Sequence, residues 1–126
     1  MKHQNSMRIL VVDDEPDIRE LLKVVLGAEG WHVAEVSSGQ EALEWLPENH
    51  VDFVVLDHRM PWLSGVDTAR RLVEAGFTVP IALYSAYLDR DALAACADLG
   101  VTTVNKLDLP ALIEQCRETA AGLQAA

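Results

Sequence analysis

The stretch Phe53-Val54-Val55-Leu56 places four apolar residues in a row and closes them with a carboxylate, Asp57. A strand that alternates apolar and polar residues can leave one face in water. A continuous apolar run of this length must be covered on both faces, which is the pattern of a parallel sheet between helical layers. The chain holds five strand-length runs in all. Arg8 to Val12, Trp31 to Val36, Asp52 to Leu56, Pro80 to Tyr84 and Val101 to Val104 are short β-rich runs.

Helical spacing fills the intervals. Ile18, Leu21, Leu22, Val25 and Leu26 follow Pro16, which suits a first helical turn, and Gly27 and Gly30 end that helix. Ser38 and Glu41 have the spacing of a capping box for a helix from Gln40 that stops before Pro47. Val66, Ala69, Leu72 and Val73 mark a third helix, ended by Gly76, and Asp89 opens an alanine-rich fourth that ends near Gly100. The last helix sets Leu112, Ile113, Cys116, Ala120 and Leu123 on one face and frays into Gln124-Ala125-Ala126. Strand and helix alternating five times, with short loops, predict an α/β fold: one doubly wound sheet with right-handed crossovers. A length of 126 residues fits one domain over 1–126, with a core of about 8–123 behind a polar N-terminal arm, residues 1–7.

The formal net charge of −10 disfavours direct contact with nucleic acid, whose phosphates it repels. The start lacks the apolar core of a signal peptide, and no run approaches the roughly 20 apolar residues that span a bilayer. The expectation is a cytoplasmic protein with no membrane segment. Cys96 and Cys116 lack metal-ligand spacing and read as reduced core thiols.

In such a sheet the strand ends share one edge, where ligands bind. Strand one ends in Asp13 and Asp14, strand three in Asp57, strand four in Ser85 and strand five in Lys106. Singly, these residues have plain readings: a helix cap for Asp14 or Glu15, a turn for Ser85, a surface charge for Lys106. Together they form a cleft that must bind something. Two carboxylates about 4 Å apart at an effective dielectric near 20 repel by roughly 4 kcal/mol, about three pKa units. Three carboxylates and one ammonium leave two negative charges, which a divalent cation cancels. An all-oxygen donor set with room for water suits Mg²⁺. An anionic phosphoryl donor could then approach, with Asp57 as nucleophile, Lys106 and the metal on the equatorial oxygens, and the Ser85 hydroxyl donating a hydrogen bond. A covalent aspartyl phosphate follows from these roles.

These residues resemble those of a response-regulator receiver domain of two-component signalling, the CheY-like family. The resemblance runs from Arg8 to about Leu123: Val11-Val12-Asp13-Asp14-Glu15 is similar to the acidic pair after strand one, Asp57 with Met60-Pro61 and Gly65 to the phosphoacceptor loop, Ser85-Ala86 to the end of strand four, and Lys106 to the lysine ending strand five. It implies a flavodoxin-like (βα)5 sandwich with strand order 2-1-3-4-5. It further implies that Asp57 takes a phosphoryl group from a sensor histidine kinase, a phosphotransfer protein or a small donor such as acetyl phosphate. Asp14, Asp57 and the backbone carbonyl of Arg59 would bind Mg²⁺ directly and Asp13 through water. Phosphorylation would draw Ser85 inward and reshape the face of helix four, strand five and helix five for a downstream protein target. A homodimer is left open, and so is the identity of any larger regulator that carries such a domain.

Two positions depart from the family pattern. Leu107 stands where receivers usually carry a cis proline, and a cis bond before a non-proline costs roughly 2.5–4 kcal/mol, so a trans bond and a shifted Lys106 backbone are expected. Thr103 stands where an aromatic residue commonly swings inward, leaving Tyr84 or Tyr87 as substitutes. Arg59 and Tyr87, each two residues beyond a site residue, sit where bulky side chains would gate water, so slow self-hydrolysis is expected. Trp62 is open between an exposed, partner-facing indole and a packed one. His58 reads as structural, and Trp31 and Trp45 as packing residues.

Three other readings compete. A phosphatase with an aspartyl intermediate wants a second acid two residues after the nucleophile, where this chain has Arg59. A flavin or nucleotide carrier wants glycines in the first loop, which here is Asp13-Asp14-Glu15-Pro16-Asp17. A degenerate receiver, binding partners without phosphate, is the rival that Thr103 and Leu107 leave standing.

Overall fold

The computed structural model describes residues 6–125. Five strands, β1 (Arg8–Val12), β2 (His32–Val36), β3 (Phe53–Leu56), β4 (Ile81–Ser85) and β5 (Thr102–Asn105), alternate with α1 (Pro16–Gly27), α2 (Gly39–Trp45), α3 (Gly65–Glu74), α4 (Arg90–Leu99) and α5 (Leu109–Ala125). All pairings are parallel and the order is β2-β1-β3-β4-β5. The doubly wound sandwich expected from the apolar runs is therefore present, with the expected order.

Alternation within strands divides the core. Leu10, Val12, Val54, Leu56 and Leu83 face one layer, where they meet Ala42, Leu46, Ala69, Leu72 and Cys96. Ile9, Val11, Phe53, Val55 and Tyr84 face the other, against Leu22, Leu26, Leu112 and Cys116. The central strand β3 is buried throughout, as a continuous apolar run requires. Burial pushes the Cys116 thiol up to about 12 and raises Cys96, so both are inert free thiols.

The helices start where their caps put them. The Ser38, Ser64 and Asp89 side chains accept the amides of Glu41, Asp67 and Ala92. The capping box is only half made, because the Glu41 carboxylate takes the amide and hydroxyl of Ser37 instead of the Ser38 amide. α2 ends before Pro47 as expected, and Leu46–Glu48 follows as a 3-10 turn, whose first turn tolerates proline. Gly100 ends α4 in the left-handed region, at φ 75°.

Some expectations need correction. Met7 was assigned to the polar arm yet is buried with Trp31 in the second layer, while residues 1–5 of that arm lie outside the described residues. Leu21, Val73 and Leu123 belong to the apolar stripes of their helices by spacing, yet each is exposed. The expected fray at Gln124-Ala125 is helix, and Ala126 lies outside the described residues.

Candidate functional site

The parallel register delivers the strand ends to one edge. The Asp57 amide donates to the Val12 carbonyl at 2.9 Å, so the ladder between β1 and β3 sets Asp57 beside the Asp13-Asp14 loop. The Lys106 amide donates to the Ser85 carbonyl at 3.1 Å, which brings the end of β5 to the end of β4.

Asp13 and Asp57 are buried, 2% and 5% exposed, whereas Asp14 lies in solvent. Carboxylate oxygens of Asp13, Asp14 and Asp57 all lie within 4.8 Å of one another. The Lys106 ammonium spans the group, 2.9 Å from Asp13, 3.3 Å from Asp57 and 3.6 Å from Glu15. A cavity of about 310 Å³ opens over them, lined by Asp14, Asp57, Arg59, Ser85, Tyr87 and Lys106. A larger groove of about 610 Å³ lies around Pro47, Phe77 and Pro80, away from these carboxylates.

The protonation chemistry follows from burial. Burial, with the Asp13 charge added, pushes the Asp57 carboxyl up to about 6 against the pull of Lys106. Burial also works to lower Lys106, but its hydrogen bond to Asp13 and the charges of Asp57 and Asp13 outweigh this and hold it above the usual lysine range. The pair is a strained acid beside a firmly charged ammonium. Three oxygen donors this close fit a hard divalent cation, since oxygens about 2.1 Å from Mg²⁺ stand roughly 3–4 Å apart. The donor set holds neither sulfur nor imidazole, which argues against zinc.

Ser85 is buried at the cavity wall, and its hydroxyl donates to the Tyr87 carbonyl at 3.2 Å and not to a carboxylate. Arg59 lies over Tyr87, with its guanidinium carbon 5.4 Å from the ring centroid, a cation–π pair at the cavity mouth. His58 faces away from the carboxylates: its Nδ1 accepts the Val66 amide at 3.4 Å, at the start of α3.

Among the described residues no peptide bond is cis, so the bond after Lys106 is trans as expected. Asn105 makes a turn here, its side chain accepting the Leu107 amide at 2.8 Å. This turn leaves Leu107 almost wholly in water. Thr103 is exposed on the edge strand. Tyr84 is inward and buried, and its hydroxyl donates to the Lys106 carbonyl at 3.1 Å.

Two contributors escaped the sequence reading. Glu15 shares Lys106, and Arg19 clamps the acidic loop by donating to the Asp13 carbonyl at 2.7 Å while paired to Glu35. An arginine one turn into a helix that follows an acidic loop was the only available signal.

Comparisons with known proteins match most of the chain. Residues 9–114 match the family described as "Response regulator receiver domain". The chain is 40% identical over 82 residues to the DNA-binding response regulator MtrA of Mycolicibacterium smegmatis, a match covering 65% of this chain and 36% of MtrA. It is 31% identical over 115 residues to the sensor histidine kinase RcsC of Escherichia coli, covering 91% of this chain and 12% of RcsC. The chain thus spans well under half the length of either relative. Among solved structures it is similar to the response regulator TrrA of Thermotoga maritima, determined in complex with Mg(2+)-BeF, at 34% identity and a TM-score of 0.81, covering 90% of this chain and 98% of TrrA. TrrA has also been seen in complex with the histidine kinase ThkA, at 33% identity and a TM-score of 0.79, covering 90% of this chain and 97% of that chain. With that family match running from β1 into α5, the chain belongs to the response regulator receiver domain family.

Proposed function

We propose that Asp57 is the residue through which this receiver domain of two-component signalling accepts phosphate. The module is a phosphoacceptor and not a classical enzyme. An Asp57 carboxylate oxygen attacks the phosphorus of a phosphohistidine or acyl phosphate; the bond from phosphorus to the donor nitrogen or oxygen breaks, and its electron pair leaves with the donor. The Lys106 ammonium, already against Asp57, holds negative charge on the transferred group. Ser85 gives up the Tyr87 carbonyl and donates to the phosphoryl oxygen instead. Asp13, Asp14, Asp57 and the Arg59 carbonyl are the groups that would hold Mg²⁺, which when bound offsets the charge of carboxylates and phosphate.

The Arg59–Tyr87 pair covers the mouth and slows attack by water on the acyl phosphate. The partners are a sensor histidine kinase or phosphotransfer protein upstream, supported by the TrrA–ThkA pairing, and a protein target downstream on the face of α4, β5 and α5. Among the described residues no helix is long and apolar enough to cross a membrane, and we place the domain in the cytoplasm.

The observation that carries this reading is the convergence of Asp13, Asp14 and Asp57 on one another, with Lys106 against Asp13 and Asp57. Intact-mass measurement after incubation with acetyl phosphate and Mg²⁺ is expected to show one added phosphoryl group, absent when Mg²⁺ is chelated and absent in Asp57→Asn. Equal labelling of wild type and Asp57→Asn would overturn the assignment.

A further inference from the structure

Trp62 is held in a conformation that its own side chain opposes. The Leu63 amide donates to the Pro61 carbonyl at 2.8 Å, closing a γ-turn around Trp62, whose φ is 71°. This is the positive-φ form, the rarer and more strained of the two γ-turns. No other non-glycine residue among those described has a positive φ. Glycine would adopt it freely, and a bulky residue does so at a cost. The strain gains no packing in return, because Trp62 is 99% exposed. The flanks are anchored instead: Met60 and Leu63 are buried, and Ser64 caps α3. An indole presented by a strained turn between two buried anchors points to a contact made outside this chain.

Position identifies the occupant. A Cβ on Gly65 would lie 2.2 Å from the Asp57 carbonyl oxygen, so the backbone at Gly65 touches that of Asp57. Trp62 lies three residues before Gly65, at most about 11 Å of chain away. It does not line the cavity over the carboxylates, so a small donor seated there leaves it untouched. A protein donor is different. An ordinary interface covers roughly 800 Å² per partner, a disc about 16 Å in radius, and centred on Asp57 it reaches the loop tip. Tryptophan is among the residues that most often dominate such interfaces.

Resting on the phosphoacceptor reading above, we propose that Trp62 is a docking anchor for the protein that delivers phosphate to Asp57, inserting its indole between apolar side chains of the donor. Trp62 then sets efficiency with protein donors and is irrelevant to small ones.

The test compares wild type, Trp62→Ala, Trp62→Gly and Trp62→Phe. Acetyl phosphate with Mg²⁺ is expected to label all four at the same rate. Autophosphorylated histidine kinases are profiled on the wild type, and the kinase that labels it fastest is then used on the variants. Its kcat/KM is expected to fall by about tenfold or more with Ala and Gly and to be largely restored by Phe. Thermal unfolding provides the control for folding: Trp62→Gly is expected to be at least as stable as Trp62→Ala, the reverse of the usual order, because glycine relieves the positive φ. Kinase transfer indifferent to Trp62, or loss of acetyl phosphate labelling in step with it, would overturn the docking role. So would a wild type that acetyl phosphate labels and none of the kinases does. Failure of acetyl phosphate on the wild type strikes the phosphoacceptor reading instead.

Discussion

An ionised Asp57 costs this protein stability. Its carboxyl is pushed from the ordinary value near 3.8 up to about 6, by burial first and the Asp13 charge second. Between about pH 4 and pH 6 the folded chain holds a proton that the unfolded chain has released, so stability falls as pH rises through that window. Two pKa units correspond to about 3 kcal/mol. In metal-free buffer, Asp57→Asn is therefore expected to be more stable than wild type at pH 8, by on the order of 1–3 kcal/mol. The gain should vanish near pH 4, and urea unfolding at both pH values measures it. The acids, Ser85 and Lys106 were legible because each stands at or just beyond the carboxyl end of a strand-like run. Arg19 and Tyr84 were not legible in their roles, since the Arg19 contact to the Asp13 carbonyl and the Tyr84 contact to the Lys106 carbonyl depend on side-chain reach across elements.

Among the elements, the joint between β3 and α3 tolerates least. Gly65 lacks a side chain because the Asp57 carbonyl oxygen and the His58 Cα, 2.2 Å and 2.8 Å from an added Cβ, leave no room, and both are backbone. Gly65→Ala must move the phosphoacceptor strand or the helix, at an expected cost of about 1–3 kcal/mol in denaturant unfolding. Acetyl phosphate labelling of Asp57 should slow with it. The resemblance places Gly65 in the phosphoacceptor loop, but its function as a spacer against Asp57 was not legible. Strands were placed within a residue because apolar runs mark burial, while ladder bonds mark where a strand ends; β4 accordingly runs on to Ser85 and β5 to Asn105. Helix faces were read too wide at Leu21, Val73 and Leu123, since periodicity cannot tell the centre of a stripe from its margin.

For the whole molecule, the carboxylate cluster couples folding to divalent cations. A ligand that binds only the folded chain stabilises it by about 2.7 kcal/mol at a hundred times its dissociation constant. The melting temperature is expected to rise by several degrees in saturating Mg²⁺ relative to chelator, and the rise should shrink in Asp13→Asn and Asp14→Asn. The layered sheet was legible because five β-rich runs of strand length alternate with helical stripes, leaving few topologies open. The exposure of Trp62 was not legible, because an aromatic residue in a loop packs or projects according to a turn angle that composition does not reveal. That projection makes the protein its own optical reporter. Trp31 is buried and Trp45 half-buried, while the Trp62 ring is bathed in water. The red-shifted part of the emission thus belongs to one loop tip, five residues from Asp57. Anything that settles there is visible by its colour without a label attached.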